Sequence, residues 1–201
     1  MKKMIVAGLL AAATMAAGPL TRGERDRAMS SLHATRKMFL DAISGLSGAQ
    51  WKFKPAPDRW SIAECAEHIT LSEDSLFQLI TGKILAGPAT PEKNTARHRA
   101  LDEDVLRVMA ERSIKAEAPS SLEPAGKWNN REALIAEFKK LRDRTIAYVR
   151  DTDDELRDHF MKGPNSMDLD AYQWLLLISA HTERHVRQIR EIQSLPGYPG
   201  N

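Results

Sequence analysis

A single cysteine, Cys65, stands in a chain of 201 residues, so no internal disulfide can form and no zinc-knuckle cysteine pair exists. Its simplest reading is a small buried apolar side chain. A long basic block is also missing. The formal net charge is only +2, which is not the electrostatic footprint of a nucleic-acid binder. There is no nucleophile elbow and no phosphate-cradling glycine loop, and no heptad is sustained enough for a coiled coil. No stretch alternates apolar and polar residues at the period of a strand. The one long apolar run, "MIVAGLLAAATM", is too short for a membrane-spanning helix.

That run has a different reading. Lys2 and Lys3 precede it and the small residues "AAG" at 16–18 follow it, the order of a signal peptide. No cysteine follows to carry a lipid. The expectation is an exported protein, periplasmic or extracellular, with residues 1–18 removed and no stable membrane anchor afterwards. A mis-assigned start codon or an uncut N-terminal anchor are the rival readings. Loss of Lys2 and Lys3 would take the formal charge from +2 to 0, which weakens a nucleic-acid role further.

What is present is helical periodicity. Hydrophobic content of 42% and charged content of 28% suit one globular domain with a real core. Five patterns repeat at three- and four-residue steps. The first runs from about 22 to 46 through Met29, Leu32, Phe39, Ile43 and Leu46, and Gly45 and Gly48 break it. "WKFKPAPDRW" then predicts an extended connector, because Pro55 and Pro57 oppose a helix. Its aromatics, Trp51, Phe53 and Trp60, should cover one end of the core. The second pattern opens on a capping box, Ser61 with Glu64, and carries Cys65, His68, Ile69, Ser72, Leu76 and Leu79 inward. Residues 84–129 are the least regular, with a short helix at 101–114. The fourth pattern starts near Asn129 or Asn130 and buries Leu134, Phe138, Leu141, Thr145 and Tyr148. The fifth is capped by Asp170 with Gln173 and runs to about Leu195, leaving residues 197–201 as a flexible tail. Four long amphipathic helices and one long crossover connection predict an all-α four-helix bundle over 22–196.

The last helix poses a chemical question. Its apolar rhythm through Trp174, Leu177 and Ile178 continues onto His181 and His185 before Ile189 and Ile192 resume. Residues at i and i+4 stack on one face, about 6 Å apart, so both imidazoles can reach one ion. His68 lies on the inward stripe of another helix. Burying several imidazoles without a shared partner would cost roughly 1–3 kcal/mol per unsatisfied group. A metal removes that cost. Zinc, nickel, copper and iron all accept imidazole, and three protein ligands leave an open position for water or substrate. A bundle of satisfied core histidines without metal is the bland alternative. His33 sits beside its stripe, and His98 and His159 read as solvated. Glu67 faces away from the stripe, and Gln188, one turn beyond His185, is placed to bond a ligand or another core group. Glu64 and Glu73 are weak candidates for a general base, Glu64 being more simply a cap.

These residues resemble the DinB-like family of bacterial four-helix proteins from about Ser31 to Leu195. Trp51, Pro55, Trp60, Ser61, Glu64 and His68 match the family's first block, and His181, His185 and Gln188 match its last. The resemblance implies an up-down-down-up bundle and a divalent transition metal, zinc or nickel in many members, held by residues matching His68, His181 and His185. It also implies hydrolase or thiol-transferase activity on a small molecule. A non-catalytic metal-binding protein, sensor or carrier, and a metal-free interaction bundle stay open beside it, as does a homodimer.

Overall fold

Every long helix begins on a side chain that accepts from its first turn. Thr21 caps α1 (Arg22–Ala42), Ser61 caps α3 (Ile62–Leu79), Asn130 caps α6 (Arg131–Asp151) and Asp170 caps α7 (Ala171–Gln193). In α1, α3 and α7 a Glu or Gln three residues on completes a reciprocal capping box. Each cap satisfies backbone N–H groups that would otherwise lack a partner and fixes where the helix starts. The computed structural model describes residues 19–112 and 117–200; the expected signal segment at 1–18 lies outside them, as does the end of the 101–114 pattern.

Helix directions follow from cross-helix contacts. The Tyr172 hydroxyl donates to the Glu24 carbonyl at one end of the α1–α7 pair, and Gln193 donates to the Ala42 carbonyl at the other, so α1 and α7 run parallel. α3 and α6 are parallel as well, with Glu73 against Arg142 and Phe77 against Tyr148. α1 against α6 is antiparallel, with Arg25 reaching the Val149 carbonyl while Phe39 meets Phe138. α3 against α7 is antiparallel through Trp60, His68, His181 and His185. Each of α1 and α3 packs against both α6 and α7. This is the up-down-down-up bundle that the family resemblance implies. The long crossover between α3 and α6 carries two shorter helices, α4 (Ala96–Arg99) and α5 (Leu101–Ala110), and α5 lies along α7 as a fifth layer.

The core divides into two apolar clusters. One, near the starts of α1 and α7, includes Ala28, Leu32, Val149, Tyr172 and Leu175. The other, near their ends, includes Phe39, Ile43, Ile69, Phe138, Val186 and Ile189. Phe39 and Phe138 meet edge-to-face at 4.6 Å, a geometry that contributes about 0.5–1.5 kcal/mol beyond burial itself. A polar layer crosses the bundle between the clusters. There Arg142, wholly buried, donates to both Glu73 carboxylate oxygens, to the Leu32 carbonyl and to the hydroxyls of Thr35 and Thr182. Thr145 donates to the same carboxylate.

Several local expectations are corrected. The connector after α1 is not wholly extended: Ser47 and Gln50 form a capping box for a short helix, α2 (Gly48–Lys52), that ends before the prolines. α3 passes into a π turn, Ile80–Ile84, and the helical run ends before Gly87. Residues between α6 and α7 pair as a small hairpin, β1 (Phe160–Lys162) with β2 (Asp168–Asp170), antiparallel. Strands this short show no detectable alternation. At the end of the chain the Tyr198 ring lies 5.6 Å from Phe53 and the Pro199 carbonyl accepts from Gln50.

Candidate metal centre

Ser61 sets the start of α3, and two turns later the helix delivers His68 to the face of α7. α7, fixed by Asp170, presents His181 and His185 one turn apart on the face opposite. The ring centroids of the three pairs are 4.9, 4.5 and 4.5 Å apart, and one nitrogen from each ring lies within 4.8 Å of the others. Among the described residues this is the one cluster of three or more such side chains able to share an ion. His68 and His185 are buried and His181 is half-buried. Trp60 covers another side, its ring 4.9 Å from His68 and 6.1 Å from His185.

Hydrogen bonds fix the tautomers. His68 Nδ1 lies 2.8 Å from the Leu122 carbonyl, which can only accept, so Nδ1 carries the proton and Nε2 a free lone pair. His185 Nδ1 lies 2.9 Å from Gln188 Oε1. Arg112 Nη1 donates to that same oxygen at 3.1 Å, and a guanidinium has only donors, so the amide cannot be reversed. Nε2 of His185 is therefore bare as well. His68 Nε2 and His181 Nε2 face each other at 3.1 Å. Two ligands of a tetrahedral zinc at 2.0–2.1 Å would sit about 3.3 Å apart, so this pair is close to ligand geometry. Without a cation the two nitrogens must share a proton to avoid opposing lone pairs.

The rings are held neutral. Burial pushes the His68 imidazolium down, partly offset by its bond to Leu122. Burial, and then the charges of His185, His68 and Arg184, push His181 well below the ordinary histidine range. His185 is pushed down to about 3, first by burial and then by His68. Neutral imidazole is the ligand form. The donor set thus fits a divalent transition metal: three neutral nitrogens, two of them oriented from behind by protein acceptors.

The general-base candidates do not reach this centre. Glu64 closes the α3 capping box and pairs with Lys54 at 2.9 Å. Glu73 is enclosed with Arg142. Glu67 does face away from the stripe, but it is buried, held by backbone N–H groups at 125–127. His33 is exposed. His98 and His159 are not solvated as expected. His98 packs on Phe160 at 4.9 Å with Nε2 3.6 Å from Asp170, and His159 Nδ1 bonds the Gly87 carbonyl. Neither is near the triad cluster. Burial pushes the Cys65 thiol up to about 12, which leaves it inert and outside the donor set. A cleft of about 300 Å³ opens behind Gln188 and Trp60, with Arg59 and Glu191 on its walls.

A family model described as the DinB superfamily matches residues 31–189, which contain all three histidines. The chain belongs to the DinB superfamily. The Bacillus subtilis protein YuaE, which has no assigned function, is 25% identical over 165 residues, covering 82% of this chain and 96% of YuaE. Among solved structures, YfiT from Bacillus subtilis is described as "a probable metal-dependent hydrolase with an unusual four-helix bundle topology". It shares 15% identity with this DinB chain at a TM-score of 0.53, over 87% of this chain and 88% of YfiT. At that identity the likeness establishes the fold alone, a four-helix bundle.

Proposed function

We propose that this DinB-superfamily protein is a divalent-metal-dependent hydrolase of a small molecule, with His68, His181 and His185 as the metal ligands. The observation that carries the proposal is the pair of Nε2 atoms at 3.1 Å, with the Nδ1 atoms of His68 and His185 already committed to acceptors. Support also comes from membership of the superfamily and from the described activity of YfiT. Zinc, nickel, copper and iron all accept imidazole, and the resemblance to the DinB-like family favours zinc or nickel among them. A divalent ion held there supplies a Lewis acid and lowers the pKa of a water or thiol presented to it.

The chain's own residues then have defined tasks. Three neutral ligands add no negative charge, so the full charge of a divalent ion stays available to polarise a substrate. Leu122 and Gln188 hold two rings in the ligand tautomer. Trp60 walls the centre on one side, and a substrate would enter beside His181, the least buried of the three histidines. The lysine–apolar–small order of residues 1–18 further supports an exported enzyme, tested by the mass of the mature chain from its native host; an intact Met1 on cytoplasmic protein would end that part of the proposal.

The functional test is a panel of small carboxylic, thio- and phosphoric esters and amides, assayed with zinc and with nickel. Metal-dependent hydrolysis that His181→Ala abolishes is the expected result. Turnover only when a low-molecular-weight thiol is added would make the protein a transferase. Tight metal binding without turnover on any of these would make it a carrier.

A further inference from the structure

The carboxylate of Glu67 is buried one residue before His68, yet it faces away from the histidines. Among the described residues it has no ion-pair partner. Its Oε1 accepts from the backbone N–H groups of Ala125 at 3.0 Å and Lys127 at 2.9 Å, and its Oε2 from that of Gly126 at 3.0 Å. Three consecutive amides converge on one carboxylate. Gly126 makes this possible, because its φ of +74° lies in the left-handed region, where a side chain would be strained. Leu122, whose carbonyl receives His68 Nδ1–H, lies only three residues earlier in the same segment. Adjacent residues of α3 therefore grip one loop at two points. Glu67 holds the loop, and the loop holds the ring of His68.

We propose that Glu67 is a positioning residue for the metal centre. By clamping residues 125–127 it fixes the Leu122 carbonyl, and that carbonyl sets the His68 tautomer and the direction of Nε2. The structural claim rests on the hydrogen bonds alone; its consequence for metal affinity rests on the triad reading given above. Backbone carbonyls commonly orient a ligating histidine from behind, and loss of such a partner typically lowers metal affinity by about 10- to 100-fold. Here the carbonyl belongs to the last residue of a single 3-10 turn, Ser120–Leu122, and Glu67 anchors the residues that follow it.

Glu67→Gln is the sharpest test because it keeps the size and removes the match. Glutamine offers one acceptor oxygen, and its NH2 group would face an amide that also donates. Two measurements on the full chain separate the possibilities. In metal-stripped protein, long-range 15N–1H correlation of the imidazoles should show His68 protonated at Nδ1 in the wild type and as a mixture of tautomers in Glu67→Gln. Gly126→Ala, which strains the same loop without changing any residue of α3, should give the same mixture. With added Co2+, Glu67→Gln should bind about 10- to 100-fold more weakly than wild type, with no further loss when placed on His68→Ala. The exposed Glu132→Gln should change neither readout. The proposal is overturned if His68 keeps one pure Nδ1–H tautomer in both loop variants. It is also overturned if Glu67→Gln weakens Co2+ equally with and without His68, since that is a general loss of structure. Wild-type protein that holds no Co2+ would defeat the triad reading instead, and the tautomer comparison would still decide the role of Glu67.

Discussion

Glu73→Ala is expected to cost this bundle about 3–5 kcal/mol, the size seen when one partner of a buried ion pair is removed. Arg142 has no solvent exposure, and its guanidinium makes five hydrogen bonds, two of them to Glu73 at 2.9 and 2.7 Å. Truncation removes the counter-charge, both of those acceptors and one of the two acceptors of Thr145, which keeps the Leu141 carbonyl. Leu32, Thr35 and Thr182 still accept from Arg142, but they carry no charge to balance it. For a chain of this size each kcal/mol shifts the midpoint by about 2–4 °C, so Tm should fall by about 6–20 °C. Urea unfolding followed by far-UV circular dichroism measures the change directly, provided the slope with denaturant is unchanged. The double variant Glu73→Leu with Arg142→Met is the counterpart. It removes both charges and fills the space with apolar groups, so its stability should return close to wild type or exceed it. A loss below about 1 kcal/mol for Glu73→Ala, the worth of an exposed pair, would refute the reasoning and show that Arg142 is hydrated. Metal content should be unaffected in all three proteins, because Glu73 serves the bundle and not the metal.

Phe138→Ala should cost about 3–5 kcal/mol by the same measurement, since the ring is wholly buried against Phe39; a cost under half of that would mean the site collapses around the gap. The metal-free protein should lose stability as the pH falls below about 6.5 toward about 3. The folded histidines have depressed pKa values, His185 to about 3, so the unfolded chain binds the protons first as acid is added. Each imidazole that stays neutral in the fold should contribute a slope of about 1.4 kcal/mol per pH unit within that window. His68→Ala and His185→Ala should each flatten the curve there, and an unchanged slope would contradict the buried neutral state.

The parts of this structure readable in the sequence were those written as side-chain patterns. Ser61 and Asp170 with their partners at 64 and 173 mark helix starts by spacing alone, and the inward stripes give the four bundle helices their lengths. The triad was legible for the same reason: His68, His181 and His185 fall on those stripes, and a helix fixes which side chains share a face. Arg142 and Glu73 were not, because charged residues interrupt an apolar pattern whether they end up solvated or paired in the core. The Leu122 carbonyl was invisible in principle, since a backbone acceptor has no residue signature and its approach to α3 depends on a loop. Glu67 had the same difficulty: it faces away from the stripe as expected, but its partners are backbone amides nearly sixty residues away in the chain. α2 and the β1–β2 hairpin are too short for periodicity to declare them. His98 and His159 sit among polar neighbours in sequence, while the hairpin and the crossover fold over them.

The central claim is that three histidines of α3 and α7 form one metal site, and metal analysis of protein purified without added metal tests it most directly. Wild type and the exposed variant His33→Ala should carry a zinc- or nickel-type ion at close to a single ion per chain, and His185→Ala should lose most of it. Equal metal in His185→Ala and wild type, or none in either after incubation with zinc and nickel, would contradict the account.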